Sequence, residues 1–361
     1  ISNFHLPYSI APNFLINGKT FAVPMVIEES SVVAAASKSA KFWYNLGGFH
    51  TEIVGTTKVG QVHFLWHDDI QKLKNRFEDL KQLLLNGSAD ITANMRKRGG
   101  GIKDIELKDL SDKEPGLMQL FVTFETIDSM GANFVNSCLE KFADIFRQWH
   151  LNQSEFKKNG LEIIMSILSN LTPNCVVKCW VETDVKNLDE IVPGISGEEF
   201  SKKFHTAVRI AQVDPYRATT HNKGIYNGVD AVVLATRAVE ACGHAYASIN
   251  GSYTSLTDCT IENGVFRFEL TLPLAMGVVG GLTNLHPLVK LSHEILDFPS
   301  ARELMGIAAA AGLANNFGAV KSLTTTGIQQ GHMKMHLFNI MNQLEVHKND
   351  KDKVVKHFKN K

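Results

Sequence analysis

Apolar and polar positions mark out the elements of the chain one after another. Residues 21–27 form an apolar, β-prone run. The small-residue stretch after Ser30 and Ser31 predicts a tightly packed helix to about residue 45, capped by one of those serines and stopped by Gly47-Gly48. Residues 50–65 alternate as a strand does. Residues 68–85 give the clearest amphipathic helix. Ile70, Leu73, Phe77, Leu80 and Leu84 share one face, Asp68 or Asp69 caps it, and Asn86-Gly87 ends it. Strand patterns follow at residues 102–107 and 117–127. Asp128-Ser129-Met130-Gly131-Ala132-Asn133 then opens a helix through about residue 149. Strand, helix, strand, strand, helix over residues 56–168 predicts a compact α+β module.

The composition shifts from residue 171. Strands are expected at residues 175–181 and 266–273, and helices at 197–213 and 231–247, with Asp214-Pro215-Tyr216 as a break. Residues 300–320 read as an Ala/Gly-rich helix with no charge from Leu304 to Val320. Such a helix has to be buried on nearly every side, which implies a large domain around it. No internal repeat or low-complexity linker interrupts the chain.

Composition narrows the function classes. The 361 residues suit two or three domains, and 44% hydrophobic with 20% charged residues suits a globular core. Lys+Arg and Asp+Glu are both 37, so no global basic field exists to hold nucleic acid. The five cysteines, Cys138, Cys175, Cys179, Cys242 and Cys259, are odd in number and lack zinc-ribbon spacing. A disulfide scaffold and a structural metal are not expected, and a reducing cytoplasm fits. The longest uncharged stretch, residues 270–289, contains Pro273 and Pro287 and reads as strand and turn rather than a membrane span. There is no signal peptide pattern, and both ends read as cut.

Three clusters could carry chemistry. Asp214 to Gly228 crowds Arg217, His221, Asn222, Lys223 and Asn227 between glycines, and reads as a polar loop. Lysine can hold a developing oxyanion and arginine can fork onto a carboxylate. The alternative is a solvated loop whose glycines serve turns. Glu28-Glu29 at the mouth of an apolar helix offers a general acid if desolvated, or merely complements the helix dipole. His332 and His336 stand one helical turn apart but lack the zincin glutamate. A single acid/base histidine suits them better than a metal. No G-x-G-x-x-G occurs, so a Rossmann fold is not supported. Asp128 to Asn133 could still present backbone N–H groups to a pyrophosphate at a helix start, or be a plain Asp cap.

Taken in order, these segments resemble the class II, bacterial-type 3-hydroxy-3-methylglutaryl-coenzyme A (HMG-CoA) reductases over nearly the whole chain. The resemblance rests on Leu6-Pro-Tyr-Ser-Ile-Ala-Pro-Asn-Phe14 and on Val23-Pro-Met-Val-Ile-Glu-Glu-Ser-Ser-Val-Val-Ala-Ala-Ala-Ser37. It rests also on the Asp128 motif, Asp214-Pro-Tyr-Arg217 through Asn227-Gly-Val-Asp230, Val279-Gly-Gly281 with His286-Pro287, and Gly331-His332-Met333. It implies reduction of the HMG-CoA thioester to mevalonate and CoA by two hydride transfers from a nicotinamide. Glu29 then matches the proton donor to the carbonyl oxygen, Lys223 the oxyanion-stabilising lysine, and His332 the acid for the departing thiolate. Ser31, Arg217, Asn227 and Asn316 match residues that hold the HMG moiety.

Asp128, Met130, Gly131 and Asn133, with Asn170, match the family's cofactor-binding residues, Ser129 replacing an alanine. The position that selects the cofactor falls on Thr92, near Asp90 and the basic Arg96-Lys97-Arg98, and this points to NADPH ahead of NADH. The implied architecture is mixed α+β and α/β. Residues 1–55 and 170–326 form a large HMG-CoA-binding and dimerisation domain. Residues 56–169 form an inserted non-Rossmann cofactor domain, and residues 327–361 a small C-terminal helical flap. A homodimer or multiple of dimers is implied, cytoplasmic, with no nucleic acid, membrane or metal. One departure stands out. The family's Gly-Asn-Asp-aromatic stretch, whose aspartate couples the lysine and the glutamate, has no counterpart between Thr236 and Arg237. A loop closed over in the numbering, an engineered deletion and a natural pseudoenzyme are the competing explanations. The last would leave a catalytically inactive CoA- or nucleotide-binding homologue. A different acyl-CoA oxidoreductase is the third functional reading.

Overall fold

The computed structural model describes residues 5–325 apart from residues 190, 234–236, 281, 282 and 284, together with residues 341, 344, 345, 347, 350, 351, 353, 354 and 357. In chain order the elements are β1 (Tyr8–Ile16), β2 (Lys19–Val26), α1 (Ser30–Tyr44), β3 (His50–Ile53), β4 (Lys58–Trp66), α2 (Ile70–Gly87), α3 (Ala89–Lys97), β5 (Gly101–Asp109), β6 (Leu117–Glu125), α4 (Ala132–Leu151), β7 (Leu161–Ser169), β8 (Val176–Asp184), α5 (Gly197–Val213), α6 (Pro215–Val233), α7 (Arg237–Ala247), β9 (Thr257–Glu262), β10 (Val265–Pro273), α8 (Pro287–Ile295) and α9 (Ala301–Thr324).

Two hydrophobic cores organise these elements. The first collects β1, β2, α1, β8, β10 and helices α5, α6 and α7 around α9. Its four-stranded sheet runs β3-β8-β10-β9, all neighbours antiparallel, with His50 opposite Trp180 and Phe268 opposite Val181. As its uncharged sequence requires, α9 is buried along most of its length, Ala308 to Ala311 fully so. Ser300 starts it with a complete capping box to Glu303, an arrangement worth roughly 1 kcal/mol. Around Phe317 stand Phe42, Trp43, Phe204 and Phe268, ring against ring. Gly228 of α6 lets that helix close onto α9, since a Cβ there would meet the Ala311 carbonyl oxygen at 2.3 Å.

The second core draws only on residues between Val62 and Leu168. Its sheet runs β5-β6-β4-β7, again antiparallel, which with α2 and α4 is a split β-α-β-β-α-β arrangement. Leu73, Leu80, Phe64, Phe124, Phe142 and Phe146 are fully buried between helices and sheet. Burying such side chains contributes roughly 1.5–3 kcal/mol each before the entropy of ordering is subtracted. The cores touch where Asp128 Oδ1 accepts from the Ala301 N–H at 2.9 Å and its carbonyl accepts from Val278 N–H at 2.8 Å.

Several expectations need correction. The N-cap of α1 is Glu29, not Ser30 or Ser31. The N-cap of α4 is Gly131 at φ 89°, and Asp128, expected to open that helix, reaches across to the start of α9. A Cβ at Gly131 would lie 2.5 Å from Thr126 Cγ2, so the left-handed turn needs glycine there. The stretch read as a polar loop, residues 214–228, is almost entirely helix α6. Pro215 and Asp214 end α5, but Pro215 also serves as a good first helical residue, and Asp214 Oδ1 accepts from Tyr216 N–H. The helix expected over residues 231–247 belongs to the end of α6 and to α7. Elements β1, α3, β7, β9 and α8 had no separate prediction. All five cysteines are free and buried. Among the described residues, no helix is long and apolar enough to cross a membrane.

Candidate functional site

The polar cluster of α6 becomes legible on a helical wheel. Ala218, His221, Asn222, Ile225, Tyr226 and Val229 fill the buried arc, while Arg217, Thr220, Lys223 and Asn227 occupy the opposite one. Lys223 is exposed, and Arg217 and Asn227 are partly buried. Burial pushes the Arg217 guanidinium below the usual range, and the charge of Asp214 opposes that shift. Among the described residues no carboxylate forms an ion pair with Arg217. A half-buried arginine in that state suits a carboxylate ligand.

Helices α1 and α9 pack on the same region as α6. At the mouth of α1, Glu28 is exposed and Glu29 partly buried. Ser31 Oγ donates a hydrogen bond to Glu29 Oε1. The backbone here explains the pair: Glu29 sits extended at the N-cap, so the serine two residues on folds back onto its carboxylate. From α9, the buried Asn316 donates through Nδ2 to the His221 carbonyl at 3.1 Å, and that amide lies 3.7 Å from a Cβ built on Gly224. Among the described residues, Asn316 Oδ1 and Asn315 Nδ2 are buried without a hydrogen-bond partner. Orphaned acceptors and donors at a helix junction are what a ligand's polar groups would satisfy.

His221 anchors this face from below and is a residue that the sequence reading left without a role. It is 1% exposed, its Nε2 lies 2.6 Å from Thr257 Oγ1, and burial, aided by Arg217, pushes its pKa down to about 3. It is therefore a neutral imidazole. Beside it, Asn222 donates to Tyr253 Oη and to the Thr254 carbonyl, and accepts from Leu256 N–H. The rigid buried half of α6 holds the polar half in place.

The expected cofactor residues gather at the junction of the two cores. Met130, Ala132 and Asn170 line a narrow cleft with Ser169, Cys242 and Lys58. Gly131 caps α4 there, and the first-turn N–H groups of a helix favour an anion. Asn133 is exposed in that first turn. Lys58, missed by the sequence reading, is 5% exposed and close enough to lower the pKa of the Cys175 thiol, although burial drives that thiol upward overall. Among the described residues it forms no ion pair. Its signal, a lysine at the head of a strand pattern, was too common to single out. The cleft fits a phosphate-bearing cofactor in its chemistry: a helix start, a buried cation and amide groups.

Thr92 is 3% exposed and its Oγ1 donates back to the Ser88 carbonyl at 3.0 Å. Arg96, Lys97 and Arg98 remain exposed at the end of α3. His332 and the rest of the expected flap from residue 327 to 340 lie outside the described residues. So do residues 234–236, next to the expected aspartate stretch.

The sequence model described as hydroxymethylglutaryl-coenzyme A reductase matches residues 1–337. The 3-hydroxy-3-methylglutaryl-coenzyme A reductase of Archaeoglobus fulgidus is 37% identical over 353 residues, covering 94% of this chain and 75% of its own. A probable reductase of the same name from Borreliella burgdorferi is 33% identical, covering 98% of this chain and 80% of its own. Among solved structures, the class II reductase of Streptococcus pneumoniae bound to NADPH in open conformations superposes with a TM-score of 0.81. It is 36% identical, over 90% of this chain and 86% of that one.

Proposed function

The chain belongs to the hydroxymethylglutaryl-coenzyme A reductase family, and we propose that its own residues reduce the thioester of HMG-CoA to mevalonate and CoA with NADPH as reductant. The observation that carries the residue assignments is the outward arc of α6, where Arg217, Lys223 and Asn227 stand together above a rigid buried face. Arg217 forks onto the free carboxylate of the acyl group. Ser31, Asn227 and Asn316 orient it, Asn316 through its unpartnered Oδ1. Lys223 faces the thioester oxygen and stabilises the oxyanion that forms as the carbonyl is reduced. Glu29, held by Ser31, delivers the proton to that oxygen. The resulting thiohemiacetal hands its hydroxyl proton back to Glu29 as it collapses to an aldehyde, and His332 protonates the departing thiolate. The aldehyde carbon then takes the second hydride, Lys223 again stabilises the oxyanion, and Glu29 protonates that oxygen to give the alcohol. Two hydrides and two protons are consumed for one alcohol and one thiol.

Bound NADPH supplies those hydrides. Met130, Gly131, Asn133 and Asn170, with Asp128 fixing the turn, would hold it at the start of α4, and Arg96 to Arg98 suit a 2′-phosphate. We further propose residues 56–169 as the inserted cofactor domain, residues 327–361 as the flap carrying His332, and a cytoplasmic homodimer as the working unit. These readings rest on the resemblance and on the division into two cores.

The test is oxidation of NADPH, and separately NADH, followed at 340 nm with HMG-CoA present and absent. HMG-CoA-dependent oxidation, faster with NADPH, is expected. The four residues without a counterpart between Thr236 and Arg237 are the one sequence feature at odds with turnover. No oxidation by a folded protein that still binds HMG-CoA would make the chain an inactive homologue.

A further inference from the structure

We propose that the groove between α1 and α9 is a binding site for a phosphate-class anion, built by Lys38 and Lys321 on facing helices. The groove encloses a cavity of about 80 Å³ lined by Lys38, Ser39 and Phe42 on one side and Gly318, Lys321 and Ser322 on the other. The space is large enough to admit one tetrahedral oxyanion. Neither lysine forms an ion pair with a carboxylate among the described residues. Lys321 is instead pushed down to about 8 by burial and by the like charge of Lys38. Its Nζ stands over the Phe42 ring, 5.8 Å from the centroid.

Two cations turned toward one cavity are destabilising unless something negative joins them. Ser39 adds a donor: it is 4% exposed, and its Oγ lies 3.0 Å from a Cβ built on Gly318. The glycine therefore leaves open the space that the hydroxyl faces. Ser322 already donates to the Gly318 carbonyl and contributes only its oxygen to the rim. Two ammonium groups and one free hydroxyl donor match a phosphate dianion better than a planar carboxylate, which would leave donors unused. The groove is separate from the outward arc of α6. It shares its two helices with the candidate site, because α1 starts at the Glu29–Ser31 pair and Asn316 lies just before Phe317.

The experiment is calorimetric titration of the full chain, saturated with NADPH so that the cofactor cleft is filled, with inorganic phosphate at constant ionic strength and sodium chloride as the reference. Saturable one-site binding is expected, weakened at least tenfold in Lys38→Gln and in Lys321→Gln. In parallel, phosphate should slow acylation of Lys321 by an N-hydroxysuccinimide ester, mapped by peptide mass spectrometry in the unaltered protein. Competition by CoA would assign the anion to a phosphate of that larger ligand, and absence of competition to free phosphate. Both results uphold the site. Heat no greater than that of chloride together with unprotected Lys321 would overturn it. So would binding that survives in the Lys38→Gln/Lys321→Gln double variant.

Discussion

At the scale of single residues, the site depends on groups whose environments set their charge. His221 is the clearest. Its folded pKa of about 3 lies below the ordinary value of 6.5, so the unfolded chain takes up this proton first as pH falls. The contribution to stability is complete above pH 6.5 and is lost progressively between there and pH 3, at up to about 1.4 kcal/mol per pH unit. Urea midpoints measured from pH 7 to pH 4 should show a steeper acid decline for the parent protein than for His221→Gln, whatever their absolute stabilities. Equal slopes would mean that His221 is not buried neutral. Glu29 shows how local geometry chooses between neighbours. Two adjacent glutamates are equivalent in composition, but only Glu29 stands at the N-cap, partly buried, within reach of Ser31.

At the scale of elements, α6 and α9 form the frame on which the site is mounted. Their close approach at Gly228 has a direct consequence. Gly228→Ala adds one methyl where the Ala311 carbonyl already stands, so the helices must separate. Overpacking of this kind costs about 1–3 kcal/mol, and the expected fall in thermal midpoint should come with weaker HMG-CoA binding. A midpoint unchanged within error would refute the close contact.

These two helices also show how far the sequence could be read. Helix α9 was legible because seventeen uncharged residues leave a helix nowhere but the interior. Helix α6 was not, because Pro215, two asparagines, Gly224 and Gly228 carry the local signals of turns. Tertiary packing reverses those signals: the glycines serve contacts with α9, and Asn222 spends its amide on Tyr253 and Thr254. The candidate substrate-binding residues were named all the same, through the ordered motifs. Lys58 and the Lys38–Lys321 pair were missed, since burial and pairing across helices leave no mark on local spacing. Strand β7 reads as a nearly continuous apolar run and gives no period to catch.

At the scale of the whole molecule, Asp128 joins the two cores. Its carboxylate caps α9 at the Ala301 N–H while its carbonyl holds Val278, and the cleft of the proposed cofactor site begins two residues away at Met130. Asp128→Ala should remove a charge-assisted hydrogen bond worth about 1.5–3 kcal/mol. NADPH affinity, followed by quenching of protein fluorescence, should fall several-fold in a protein that keeps its circular dichroism. Unaltered affinity would separate the junction from the cofactor site.

The pairing of β3 with β8 sets an order of events during synthesis. His50 and Trp180 are partners in one sheet, yet the whole second core lies between them in sequence. A nascent chain has every residue of that second core once Leu168 has left the ribosome. The first core must wait for α9, down to Val320. Until then β1, β2 and α1 are exposed with their apolar faces uncovered. That makes the early segment, rather than the late one, the natural client of chaperones and the place where slow translation would help most.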